Sequence, residues 1–232
     1  MGPRDPHDLI RTMPAEGAMA RLGARALDLY VVTTGTLVPG RAHDEIVGAA
    51  LDGGATAVQL RATELGDDRL LPLATSIAAR CHEAGATFVV NDRVEVAVGS
   101  GAAGVHLGQD DEVSDARDAL GPERILGVSV GSVDEAREAE REGSDYLGVT
   151  VWATATKPEA VPVGLDGLRE IAAATALPVV GIGGIDAGNA TDVLAAGASG
   201  VAVIGAVAAA PDPAGAVREL RAVVDAFHGT GR

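Results

Sequence analysis

One pattern recurs along this chain and restricts what it folds into. A segment of helical periodicity ends in glycine plus a small residue, and an aliphatic residue stands four positions after that glycine. The pairs are Gly54/Val58, Gly85/Val89, Gly101/Val105, Gly143/Leu147 and Gly197/Val201. Glycine just past a helix end adopts the left-handed conformation that closes the last turn. The run of Val, Ile and Leu that follows reads as a strand buried on both faces, as in parallel sheets. The repeated unit is therefore helix, glycine stop, parallel strand.

Apolar runs of this kind fall at residues 28–33, 57–60, 87–90, 104–107, 125–130, 146–149, 178–182 and 200–204, with the clearest helical patterns at 70–84, 133–142 and 165–174 between them. Eight alternating units without a linker predict an α/β fold, a single-domain (β/α)8 TIM barrel over residues 27–232. An open doubly wound sheet is disfavoured because the first run leads into Thr34, Gly35 and Thr36 and not into a G-x-G-x-x-G turn. Residues 1–26 form an N-terminal extension, in which 15–26 read as an extra helix able to cover the barrel bottom.

Composition narrows the partners. Of the 232 residues 33 are acidic and 18 basic, a formal charge of −15, which repels nucleic acid and anionic lipid and makes small molecules the expected ligands. Among the basic residues Lys157 is the only lysine. The single cysteine, Cys81, excludes an intrachain disulfide and fits a reducing, cytoplasmic setting. The first 26 residues carry Arg4, Asp5, Asp8, Arg11 and Glu16 with no continuous apolar run, so no secretory signal is expected, and no later stretch reads as a membrane span. The chain is compatible with a homo-oligomer, which the sequence does not specify.

In a barrel of this kind chemistry sits at the C-terminal strand ends, and here those ends carry polar residues. The second run ends Gln59-Leu60-Arg61, with Gln59 and Arg61 in phase, so both face one side. The third leads into Asn91-Asp92, the fourth holds His106 and leads to Gln109-Asp110-Asp111, and the fifth carries Ser129. The sixth leads through Trp152 to Thr154, Thr156 and Lys157. The last two end in Gly183-Gly184 and Ile204-Gly205. Each has a plain reading as well. Asp92 and Asp111 each suit a helix cap, Arg61 a surface arginine, His106 a core histidine, Gly183-Gly184 a tight turn, and the Thr154 to Lys157 segment a solvated loop. Taken together, two carboxylates on neighbouring strand ends suit Mg²⁺, which keeps waters and substrate phosphates alongside few protein ligands. Glycines after the last two strands suit phosphate. The residues thus imply an enzyme handling at least two phosphate groups, one with Mg²⁺; with no second histidine near His106, zinc is not expected.

These pieces, in this order, resemble the thiamine phosphate synthase family from about Leu29 to the end: Val58-Gln59-Leu60-Arg61, Val90-Asn91-Asp92, the stretch from Gly104 to Asp111, Gly127-Val128-Ser129, Asp145-Tyr146-Leu147-Gly148, Thr154-Ala155-Thr156-Lys157 and Gly181-Ile182-Gly183-Gly184-Ile185. The resemblance implies a barrel enzyme that joins a hydroxymethylpyrimidine pyrophosphate to a hydroxyethylthiazole phosphate, releasing pyrophosphate. It implies that Gln59, Tyr30 and His106 serve the pyrimidine, that Arg61, Asn91, Ser129 and Lys157 hold the pyrophosphate, and that Asp92 and Asp111 bind Mg²⁺. Thr154, Thr156, Gly184, Ile204 and Gly205 would take the thiazole phosphate. Where the family pattern Q-x-R-x-K carries lysine, this chain has Thr63. That departure motivates one alternative, a thiazole phosphate tautomerase; a non-catalytic barrel that binds phosphorylated ligands is a second.

Overall fold

The computed structural model describes residues 21–23, 25–35, 37–154 and 160–230. Eight strands, β1 (Leu29–Val32), β2 (Ala57–Leu60), β3 (Thr87–Asn91), β4 (Gly104–Leu107), β5 (Ile125–Val130), β6 (Tyr146–Thr150), β7 (Val179–Ile182) and β8 (Gly200–Val203), pair in parallel and in sequence order. The ring closes where Leu29, Tyr30 and Val31 register with Val201, Ala202 and Val203. Between the strands run α1 (His43–Asp52), α2 (Asp67–Ala84), α3 (Val94–Ser100), α4 (Val113–Leu120), α5 (Val133–Arg141), α6 (Gly164–Ala174), α7 (Ala190–Ala195) and α8 (Gly205–Ala208), followed by α9 (Pro213–Thr230), which packs on α1. The expected (β/α)8 barrel is present, and each predicted strand overlaps its observed counterpart to within one residue at either end.

The glycine stops behave as the repeat predicts. Gly54, Gly85, Gly101, Gly143 and Gly197 all have positive φ, between 69° and 104°. A residue with a Cβ is strained in that region, so glycine ends each helix where the chain turns toward the next strand.

Two apolar cores result. Alternate strand residues such as Val31, Val58, Val90, Val105, Leu147 and Val201 face outward and pack against the helices. The inward set, including Tyr30, Ala57, Val89, Ile125, Tyr146, Val180 and Ala202, fills the barrel. Each fully buried aliphatic side chain contributes about 1.5–3 kcal/mol relative to exposure. The chain has two tyrosines, and both lie inside the barrel, essentially without solvent exposure. Glycine makes their room: a Cβ on Gly127 of β5 would overlap the Tyr146 ring, and one on Gly148 of β6 would stand 3.0 Å from His106 Cε1.

At the opposite end, Leu22 and Leu27 close the inner core. Arg21 beside them reaches the wholly buried Asp145, which also accepts from Arg117 Nη2 at 2.7 Å and from the Leu126 N–H at 2.8 Å. Most of the helix expected over 15–26 lies outside the described residues; of those described only Arg21 is helical, and Arg25 and Ala26 form a turn closed by the Ala26 N–H to the Gly23 carbonyl at 3.0 Å, so it is this turn that carries the two leucines into the inner core. No helix among the described residues is long and apolar enough to cross a membrane.

Candidate functional site

The C-terminal strand ends surround a cavity of about 320 Å³. Tyr30, Gln59, Arg61, Asn91, His106, Ser129, Thr154, Gly184, Ile204 and Gly205, the polar and glycine positions singled out strand by strand, all line it. Val32, Val180, Ile182, Ile185 and Val203 supply apolar wall between them. Thr156 and Lys157 lie outside the described residues, although Thr154 carries the same segment to the cavity edge.

The floor is a single chain of hydrogen bonds. Gln59 Nε2 donates to the Tyr30 hydroxyl at 3.0 Å, and that oxygen lies 3.0 Å from the Tyr146 hydroxyl. Tyr146 in turn stands 2.9 Å from His106 Nδ1, and His106 Nε2 is 3.1 Å from Ser129 Oγ. One proton order gives each of these groups a partner, beginning from the amide nitrogen, which only donates. Tyr30 then donates to Tyr146, and Tyr146 to His106 Nδ1, so the imidazole carries its proton on Nε2 and gives it to Ser129. The Ser129 hydroxyl proton is left to serve the cavity. Burial raises the pKa of both tyrosines above the ordinary phenol value, Tyr146 strongly, so each phenol keeps the proton this chain needs. Tyr146 was missed as a site residue because an aromatic side chain in an apolar strand reads as core; only its partners show otherwise.

Asp92 and Asp111 line a second cavity with Asp110, Gln109 and Glu135. It borders the first, since Asn91 Nδ2 donates to Asp92 Oδ2 at 2.5 Å and Asn91 lines the main cavity. The helix-cap reading does not describe either aspartate. Arg93 and Glu112 hold the N-cap positions of α3 and α4, and neither makes a side-chain cap bond. Asp111 Oδ2 instead accepts the Gly108 N–H at 2.7 Å within its own loop. Asp92 has φ of 61°, the one positive φ outside glycine among the described residues. Such backbone strain collects where a side chain must be aimed in a particular direction.

After β7, Gly183 and Gly184 have φ of 93° and 66°, conformations that favour glycine. The turn is pinned by Asn189, whose Nδ2 donates to the Gly184 carbonyl at 2.9 Å and whose Oδ1 accepts the Asp186 N–H at 3.0 Å. After β8, Gly205 opens α8, so its N–H belongs to a first turn without intrahelical acceptors. Thr150 and Asp186 also line the cavity and were not singled out from sequence, where nothing distinguishes them from ordinary loop polar residues.

Comparison with known proteins gives a consistent result. Residues 29–207 match the family described as thiamine monophosphate synthase. The chain is 53% identical over 205 residues to the thiamine-phosphate synthase of Moorella thermoacetica, covering 87% of this chain and 98% of that one. It is 48% identical over 199 residues to the thiamine-phosphate synthase of Chloroflexus aurantiacus, covering 84% and 92%. Among solved structures, thiamine phosphate pyrophosphorylase from Pyrococcus furiosus superposes with a TM-score of 0.81 at 41% identity, covering 88% of this chain and 98% of that one.

Proposed function

We infer the activity from one premise: the chain belongs to the thiamine monophosphate synthase family. It joins hydroxymethylpyrimidine pyrophosphate to hydroxyethylthiazole phosphate, giving thiamine phosphate and pyrophosphate. The observation that carries this reading is the gathering of Gln59, Arg61, Asn91, His106, Ser129 and the Gly184 and Gly205 turns around one apolar-walled cavity. The relatives' names favour the synthase over a tautomerase or a non-catalytic barrel.

The reaction breaks the bond between the pyrimidine methylene carbon and the pyrophosphate oxygen, which departs with the electron pair. The thiazole ring nitrogen then donates its lone pair to that carbon, so no general base is required. This chain's task is to receive growing negative charge on one side and hold the nucleophile on the other. Arg61, Asn91, Ser129 and Lys157 hold the pyrophosphate, and the proton left on Ser129 Oγ is aimed at it. Gln59, Tyr30 and His106 bind the pyrimidine. Thr154, Thr156, Gly184, Ile204 and Gly205 take the thiazole phosphate, the last three through backbone atoms. The apolar walls keep water from the electron-poor carbon.

Two carboxylates beside the main cavity fit Mg²⁺. Among the described residues no cluster of three or more His, Cys, Asp or Glu forms a closed protein cage. Asp92 and Asp111 would hold the ion and leave its remaining positions to water and substrate oxygens. When bound, it supplies counter-charge for the leaving pyrophosphate. With Cys81 as the single cysteine no intrachain disulfide forms, in keeping with the reducing cytoplasm in which we place the enzyme.

Incubation with both substrates and Mg²⁺ tests the reading. Thiamine phosphate forms and ceases to form when a chelator removes the metal. Absence of product where a control synthase works contradicts the assignment, and metal-independent isomerisation of the thiazole alone favours the tautomerase.

A further inference from the structure

We propose that Glu64, His43 and Thr33 are positioning residues for Arg61, acting as a hydrogen-bonded relay that fixes its backbone at the cavity edge. The proposal rests on the reading of Arg61 as a pyrophosphate ligand.

The relay begins where the β1–β2 ladder ends. The Thr33 N–H donates to the Gln59 carbonyl at 2.9 Å, one residue past the end of β1. In a continued parallel ladder the Arg61 N–H would next take the Thr33 carbonyl. It takes the Thr33 side chain instead, with N to Oγ1 at 3.1 Å. Thr33 is wholly buried, so a side-chain hydroxyl and not water sets the backbone from which the Arg61 side chain departs.

That hydroxyl is held from behind. Thr33 Oγ1 lies 2.8 Å from His43 Nδ1, and His43 Nε2 lies 2.7 Å from Glu64 Oε1. His43 is the buried first residue of α1, while Glu64 is partly exposed in the loop after β2. With a neutral imidazole, the carboxylate sets every proton in the series. An ionised Glu64 only accepts, so His43 carries its proton on Nε2 and its Nδ1 must accept. The Thr33 hydroxyl then donates to Nδ1, which leaves its oxygen lone pairs to the Arg61 N–H. All three donors point the same way, toward Glu64, an arrangement in which each bond polarises the next. Burial alone would raise the Glu64 pKa, but the His43 hydrogen bond, its own backbone N–H and the charge of Arg61 hold it below its ordinary value. Space for the pair is provided by Gly35, where a Cβ would overlap the Glu64 carboxylate.

None of Thr33, His43 and Glu64 lines the cavity, so their side chains reach substrate through Arg61, and the Thr33 N–H to Gln59 bond is backbone that the substitutions below keep. Thr33→Val keeps the shape and removes the hydroxyl. It is expected to raise the KM for the pyrimidine pyrophosphate about tenfold while the KM for the thiazole phosphate stays within about twofold of wild type. Thr33→Ser restores the hydroxyl and the wild-type KM. A general loss of packing would move both KM values and would not be rescued by serine. Should Thr33→Val fail to fold, Glu64→Ala at the partly exposed end of the relay is expected to raise the same KM about threefold. Arg61→Ala is the reference. If it leaves the pyrimidine KM unchanged, the role of Arg61 is overturned and the proposal with it. If Arg61→Ala raises that KM but Thr33→Val, or Glu64→Ala in its place, does not, the relay alone is overturned.

Discussion

Replacing Tyr146 by phenylalanine cuts the cavity floor at its middle. The ring stays and one hydroxyl goes, which lies 3.0 Å from the Tyr30 hydroxyl and 2.9 Å from His106 Nδ1 and, in the proton order above, accepts from the first and donates to the second. Two groups lose these partners, the buried Tyr30 O–H and the partly buried His106 Nδ1 lone pair. Each such group costs about 1–3 kcal/mol, so unfolding free energy should fall by roughly 2–6 kcal/mol. Urea denaturation reads this as a lower midpoint at unchanged slope. A second readout follows the proton. In the wild-type protein nitrogen NMR should find His106 protonated on Nε2 with Nδ1 bare, and in Tyr146→Phe that preference should weaken because the Tyr146 donor is gone. Ser129 then loses its fixed hydrogen-bond donor, and kcat/KM should drop about tenfold for loss of one oriented contact to the pyrophosphate. A wild-type His106 protonated on Nδ1, or a stability change below about 0.5 kcal/mol, would refute the directional chain.

Three other perturbations probe separate parts of the account. In alkaline titration both tyrosines have folded pKa values raised by burial, so their contribution is intact below the unfolded value and is lost as pH rises toward the folded one. Native protein should therefore show no phenolate absorbance until the fold opens, whereupon both rings titrate together; separate titration of either ring in the native state contradicts this. Asp145→Asn removes the carboxylate shared by Arg21 and Arg117, and burial already pushes Arg117 below its ordinary pKa. A loss of about 3–5 kcal/mol is expected in urea denaturation, and less than about 1 kcal/mol would show that the arginines find other partners. Thr63→Lys restores the cation of the family pattern on an exposed position after β2, and should lower the KM for the pyrimidine pyrophosphate about two- to fivefold, whereas an unchanged or raised value means the site has been rebuilt another way.

The barrel was legible in the sequence because a strand buried on both faces must be aliphatic and a helix that turns sharply into it ends in glycine. Those two constraints act within a few residues, as Gly85 and Val89 illustrate. The line-up of Gln59, Arg61, Asn91, His106 and Ser129 was legible for a related reason: barrel topology sends every strand end to the same rim. What could not be read is partnership between elements. Tyr30 and Tyr146 are 116 positions apart and look like two core aromatics until the strands close. Thr33, His43 and Glu64 sit on separate elements, and none is unusual where it stands. The left-handed Asp92 likewise departs from its sequence expectation. A carboxylate before a helix suggests a cap, but backbone dihedrals depend on the loop that carries it, and here the cap position passes to Arg93.

The most direct measurement counts both products in one reaction. Supplied with hydroxymethylpyrimidine pyrophosphate, hydroxyethylthiazole phosphate and Mg²⁺, the protein should form thiamine phosphate and pyrophosphate in equal amounts, and neither should accumulate when one substrate is omitted or when Lys157→Ala replaces the wild type. Pyrophosphate released without thiamine phosphate, or no turnover of either substrate, would contradict the account.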